Sequence, residues 1–311
     1  MCAICLRPVF AVNASNASNA SNAFNVPNAP NVPHAPNACN VSMMTDVGAT
    51  RLHVQIAGEG ETLVWAHGLL SSVAAEDTTG WYDWPAAAEQ MRVVRYDARG
   101  HGRSAPPASP EQCEWRALGG DMLAVADRAG ASRFIAGGAS MGGMTAIEAA
   151  LQAPARVKAL VLVSPPSLWE DRVAQATHYQ RVARAGRVAG GVAMATWMAA
   201  TQARTFAAWP DDAMQAILAG VDVGVRDIAG TTLWALLRGA GQSDLPPRAA
   251  LAALASVPAL IVAWDGDATH PLASAQELHC LLPASQLLIA RDHAEFCTIG
   301  ARIRAFVAAH S

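Results

Sequence analysis

The chain has 311 residues, with 52% hydrophobic and 15% charged side chains and a formal net charge of −3. That is enough chain for one large α/β domain, and the balance excludes the basic surface that nucleic acid or an acidic membrane attracts. No apolar run reaches the ~20 residues a spanning helix needs, so a protein without a membrane partner is expected.

Residues 1–44 read as a disordered extension. Asn-Ala-Ser repeats run from Asn13 to Ala23, and Asn-Val-Pro and Asn-Ala-Pro units follow. Such a stretch has no hydrophobic period to offset chain entropy. It carries Asn-x-Ser sequons at Asn13, Asn16, Asn19 and Asn40, but the start of the chain is a poor secretory signal, with Arg7 alone before a short apolar stretch. The extension is read as non-functional, with Met43 or Met44 as the natural beginning. Of the six cysteines, Cys2 and Cys5 form a C-x-x-C with no second pair, which is a weak zinc signal. Cys39, Cys113, Cys280 and Cys297 are scattered. Free thiols of this kind fit a reducing compartment, and the cytoplasm is expected.

From residue 50 short apolar runs alternate with helical stretches. Strands are expected at Leu52–Ala57, Thr62–Ala66, Arg92–Tyr96, Phe134–Gly138, Ala159–Ser164, Ala259–Ala263 and Gln286–Ala290. Continuous apolar runs mark strands covered on both faces, and their alternation with helices such as Gly119–Ala129 and Met144–Leu151 predicts an α/β fold with a mainly parallel central sheet flanked by helices. Between Ser164 and Val257 no strand pattern occurs. Alanine-rich helical stretches carry Trp169, Trp197, Trp209 and Trp234 instead. The interval is too long for a loop, so residues 166–254 are expected to form a helical cap on a core of residues 45–165 and 255–311.

The sharpest motif is Gly138-Ala139-Ser140-Met141-Gly142-Gly143, after the run Phe134-Ile135-Ala136 and before a helical stretch. A serine on a tight strand–turn–helix corner projects its hydroxyl clear of the sheet, and glycines on either side let the two backbones approach. Ser140 is the expected nucleophile. A serine hydroxyl needs a base. Of nine histidines, His293 follows the last strand in a short loop, where a side chain is held yet open to solvent, and it is the expected base. The acid is expected after the preceding strand, in Trp264-Asp265-Gly266-Asp267-Ala268-Thr269-His270-Pro271. Asp267 is preferred, with Asp265 the alternative because an Asp beside Gly commonly caps a turn. Asp267 and His270 alone make no metal site, since no third ligand has suitable spacing.

The order Ser140, Asp267, His293, with His67-Gly68-Leu69 after one strand and Asp97-Ala98-Arg99-Gly100-His101-Gly102-Arg103-Ser104 after the next, closely resembles the α/β-hydrolase superfamily. The second turn is similar to the D-x-R-G-H-G-x-S turn of its esterase, lactonase and C–C hydrolase branches. One departure is Trp264, where such families usually carry a glycine three residues before the acid. The resemblance implies an oxyanion hole from the backbone N–H groups of Leu69 and Met141, a structural role for the Asp97–Ser104 turn, and no metal or organic cofactor. It also implies hydrolysis of a small, largely apolar ester or lactone through an acyl-enzyme. The alternatives are a C–C (β-diketone) hydrolase and a non-catalytic small-molecule receptor on the same fold. Arg181, Arg184 and Arg187 recur every three residues. They suit a substrate carboxylate, as in the enol-lactonase-like branch, but more simply form a solvated helix face.

Overall fold

A computed structural model of the chain describes residues 41–311 except Ala268. The repeats, the first three cysteines and the sequons' asparagines lie outside the described residues.

The centre is an eight-stranded sheet. Its strands are β1 (Val41–Val47), β2 (Thr50–Ala57), β3 (Thr62–Ala66), β4 (Arg92–Tyr96), β5 (Phe134–Ala139), β6 (Val157–Val163), β7 (Ala259–Trp264) and β8 (Ser285–Ala290). Their order is β1-β2-β4-β3-β5-β6-β7-β8. β2 runs antiparallel to both β1 and β4, and the pairings from β4 through to β8 are parallel. All seven expected strands are present within two residues at each end. β1 was not expected. It places Val41–Met44, assigned above to the extension, in the sheet, with Met43 opposite Val54 and Met44 opposite His53.

The helices are α1 (Val73–Thr79), α2 (Trp84–Ala88), α3 (Trp115–Arg128), α4 (Met141–Gln152), α5 (Trp169–Thr205), α6 (Asp211–Val225), α7 (Gly230–Gln242), α8 (Leu272–Leu281), α9 (His293–Phe296) and α10 (Ile299–Ala309). Side chains alternate across a strand, so each central strand feeds two cores. Val64 and Ala66 of β3 pack with Leu118 and Met122 of α3 and Met144 and Ile147 of α4. Leu63 and Trp65 pack on the other face with Trp84 of α2 and with Ile299, Ile303 and Phe306 of α10. This two-sided burial is why the strands read as unbroken apolar runs.

The interval without strands is helical, as its alanine content suggests. α5 changes direction at Gly190, whose φ of 74° lies outside helical space. α5, α6 and α7 bury Ala183, Met194, Val225, Leu233 and Leu236 against one another, together with Leu70 of the core. Arg181, Arg184 and Arg187 are exposed on α5. Among the described residues no helix is long and apolar enough to cross a membrane.

Candidate functional site

The site gathers where the parallel strands end, beside α5 and α6. Open α/β sheets generally place ligands at the carboxyl ends of their strands. Four such ends contribute: the loop after β3 brings Gly68–Ser71, the corner after β5 brings Ser140, the end of β6 brings Val163 and Ser164, and the loop after β7 brings Asp267 and His270.

Ser140 stands at the corner with φ 52° and ψ −114°, a backbone conformation rarely occupied by non-glycine residues. Neighbouring glycines make the corner possible. A Cβ on Gly138 would lie 2.5 Å from the Ala66 carbonyl oxygen, and one on Gly142 would overlap that same oxygen. α4 therefore crosses directly over the end of β3, and its first amide, that of Met141, opens beside the serine.

Ser140 Oγ lies 2.9 Å from His270 Nε2, and His270 Nδ1 lies 2.6 Å from Asp267 Oδ2. Asp267 also accepts from the backbone N–H groups of Thr269 and His270 at 2.8 and 3.1 Å. One carboxylate thus fixes both the turn and the ring. Burial on its own would raise the Asp267 pKa, but the His270 charge, the His270 N–H and the two amides outweigh it, and the pKa is held below the usual value. Asp265 is exposed, and its N–H donates to the Ala290 carbonyl. Of the two candidate acids, Asp267 is the one joined to an imidazole in line with Ser140.

That imidazole belongs to His270 and not to His293, the base expected from the sequence. His293 is the first residue of α9, held by Asp292, which caps the helix by accepting from the Glu295 N–H. Its ring packs 4.8 Å from Trp209, and its Nε2 lies 3.4 Å from Cys297 Sγ. It does not line the cavity at Ser140. From the sequence alone His270 is considered only as a metal ligand beside Asp267. Among the described residues no group of three His, Cys, Asp or Glu gathers as a metal site. The missed signal is the Asp-x-x-His spacing, which lets one loop bring both a carboxylate and an imidazole into line with Ser140.

The loop after β3 is braced by two buried histidines. His67 Nε2 accepts from the Ala98 N–H at 3.0 Å while Nδ1 bonds the Gly68 carbonyl at 2.7 Å. His101 Nε2 accepts from the Leu70 N–H at 3.1 Å while Nδ1 bonds the Arg99 carbonyl at 2.9 Å. Each ring must be neutral to accept and donate at once. The Leu69 and Met141 amides donate to nothing among the described residues. Asp97 ties the neighbouring turn, taking the Val73 N–H, the Arg103 N–H and the buried His53 ring at 2.7–3.0 Å. Arg99 forms a two-pronged pair with Asp121. These charges are engaged in holding the turn.

Burial and the neighbouring His67 push His101 down to about 3, and burial lowers His67 as well. An unfolded histidine protonates near pH ~6.5. The unfolded state therefore takes up protons that the folded state refuses, and this contribution to stability is full above that pH and lost as pH falls. Glu76 titrates oppositely. Burial raises it to about 7, so its contribution is lost as pH rises through that value. A comparison removes this offset: between pH 6.5 and 5 the stability of His101→Gln should fall less steeply than wild type by about one proton. Urea midpoints across that range check it, and equal slopes would show that His101 is not held neutral.

The cavity holds about 200 Å³ and is walled largely by apolar and aromatic side chains, among them Leu69, Met198, Ile217 and Val221.

The family model for the alpha/beta hydrolase fold matches residues 61–296, more than half of the chain. Over 118 residues the chain is 33% identical to the dihydrolipoyllysine-residue acetyltransferase component of an acetoin cleaving system from Pseudomonas putida, covering 37% of this chain and 30% of that protein. Over 113 residues it is 33% identical to a pimeloyl-[acyl-carrier protein] methyl ester esterase from Nitrosomonas europaea, covering 36% and 40%. The chain thus spans well under half the length of these curated relatives. Among solved structures, the enol-lactonase from Burkholderia xenovorans LB400 superposes with a TM-score of 0.65 at 25% identity, covering 86% of this chain and 97% of that one. A thermophilic esterase from Thermogutta terrifontis superposes with a TM-score of 0.69 at 19% identity over 88% and 99%, a likeness of fold alone. With the sheet order, the serine corner and the matched span in agreement, the chain belongs to the alpha/beta hydrolase fold family.

Proposed function

We propose that this protein is a serine hydrolase of small carboxylic esters or lactones, working through an acyl-enzyme on Ser140 with His270 as base and Asp267 as the acid that orients it. The observation that carries the reading is the unbroken hydrogen-bonded line from Ser140 through His270 to Asp267 at the wall of an apolar cavity.

The steps follow from the geometry. The Ser140 hydroxyl donates to His270 Nε2, and as Oγ attacks the substrate carbonyl that proton passes to the ring. Asp267, kept ionised, holds the other ring nitrogen as donor and stabilises the imidazolium. Negative charge develops on the carbonyl oxygen, where the two uncommitted amides of Leu69 and Met141 can stabilise it. His270 returns its proton to the departing alcohol. It then takes one from water, which attacks the acyl carbonyl, and as the acid product departs His270 hands that proton to Ser140 Oγ, restoring the hydroxyl and the neutral ring. The line of hydrogen bonds supports turnover over mere binding, and nothing in the cavity favours β-diketone cleavage. Cys113, Cys280 and Cys297 are all free thiols, which supports a reducing compartment such as the cytoplasm.

A fluorophosphonate probe should attach once, to the peptide containing Ser140, and should abolish hydrolysis of p-nitrophenyl butyrate. Intact mass and peptide mapping check this. Labelling of another residue, or none, would overturn the assignment.

A further inference from the structure

The charge inside the cavity is one-sided. Among the described residues no lysine or arginine lines it, whereas two carboxyl groups do, those of Asp267 and Glu76. Asp267 is committed to His270. Glu76, on α1, has no part in the relay. It is buried to 6% exposure, and both its oxygens take the single Trp65 indole N–H, at 2.9 and 3.1 Å. A carboxylate has room for about four donors, so Glu76 is under-supplied.

Aromatic rings share the cavity with it: Trp81, Tyr82, Phe206, Trp264 and Phe296. Trp81 meets Phe296 at 5.1 Å between centroids, and Phe206 stacks on Trp264 at 4.8 Å. Aromatic faces attract cations, most strongly where water is excluded, and a nearby carboxylate adds to the attraction. The arginines of α5 that suit a carboxylated substrate are exposed and outside the cavity.

We propose that Glu76 and these rings form a subsite for a positively charged nitrogen, so that the preferred substrates are esters bearing an alkylammonium group. The proposal rests on the serine-esterase reading above and narrows its substrate class. A substrate carboxylate is disfavoured in the same place.

Glu76 becomes charged as pH rises through about 7, because burial outweighs the Trp65 N–H and the Arg95 charge that oppose it. The groups facing it are Arg95 and Asp97 from the β4 side, Asp77 and Tyr82 beyond it on its own side, and Asp267 and His270 across the cavity. Cation preference should therefore grow with pH.

The test compares three acetate esters of similar shape, whose alcohols are 2-(trimethylammonio)ethanol, 3,3-dimethylbutanol and 4-hydroxybutanoate. The kcat/KM ratio of the cationic to the neutral ester should be at least about tenfold at pH 8 and shrink toward one at pH 5.5, with the anionic ester poorest. Both esters share Ser140 and His270, so the titration of the base in the chemical step cancels in the ratio. Glu76→Gln should collapse the ratio and flatten its pH dependence. Independently of turnover and of that variant's folding, tetramethylammonium should quench tryptophan fluorescence of the wild type at millimolar concentration where neopentyl alcohol does not. A ratio near one with Ser140 labelled by fluorophosphonate, or equal quenching by the two small molecules, overturns the ammonium subsite alone. Absence of label at Ser140 overturns the esterase reading, and the quenching result then decides the subsite by itself.

Discussion

His270→Ala should lower turnover of a small ester by at least about 10³-fold, while His293→Ala should stay within about threefold of wild type. In the first variant Ser140 loses the group 2.9 Å from its hydroxyl, and Asp267 loses its imidazole partner. Residues that act as one unit lose most of their effect when any member goes, so kcat falls to what the oxyanion donors and binding alone supply. In the second variant the half-buried ring against Trp209 is removed, and the relay keeps its parts. Substitutions away from a core or a network usually change stability by less than about 0.5 kcal/mol. Phe296, one turn on, still lines the cavity. Steady-state kinetics of both variants, beside melting curves to confirm folding, check the pair. A dead His293→Ala with an active His270→Ala would return the base to the loop after β8.

That correction shows where sequence reasoning reaches and where it stops. The corner at Ser140 was legible because a strained turn demands glycines at fixed offsets, and those offsets survive as a string. The parallel strands were legible because burial on both faces leaves continuous apolar runs. The imidazole beside Ser140, the proposed base, was not legible by the same logic. Its position follows from how far a loop reaches, and the two strands are neighbours: Trp264 at the end of β7 lines the cavity and pairs with Ala290 at the end of β8. Asp267 turns its own loop back, by accepting the Thr269 and His270 amides, so that His270 faces Ser140, and no residue spacing dictates that turn. β1 was hidden for another reason. It is an edge strand with its first residues exposed, and Met43-Met44-Thr45-Asp46 shows neither a continuous apolar run nor clean alternation. Its inclusion means that a chain beginning at Met43 would give up the pairs Val41–Ile56 and Ser42–Gln55, and one beginning at Met44 would give up Met43–Val54 as well. The arginine stripe shows the opposite outcome, since a spacing that suits a ligand proved to be a solvated face.

The second large effect is on folding. Gly142→Ala should destabilise the protein by more than about 4 kcal/mol and yield little soluble material. The added methyl would coincide with the Ala66 carbonyl oxygen and lie 2.8 Å from that of His67. Neither can step aside cheaply. Ala66 is paired with Tyr96 on one side and Gly138 on the other, in the middle of the sheet. Moving α4 outward instead would withdraw the Met141 amide from Ser140, so any variant that folded by that route should lose activity disproportionately. Gly120→Ala is the control. It lies within α3, where a Cβ would meet only the Gln152 side chain at 3.7 Å. Alanine in a helix interior is favoured over glycine by up to about 1 kcal/mol, so that variant should match or exceed wild type. Soluble yield and urea midpoints distinguish the two. A Gly142→Ala protein with the wild-type midpoint would mean that α4 does not cross β3 this closely, and the serine would then lack the pinched corner that aims its hydroxyl at His270.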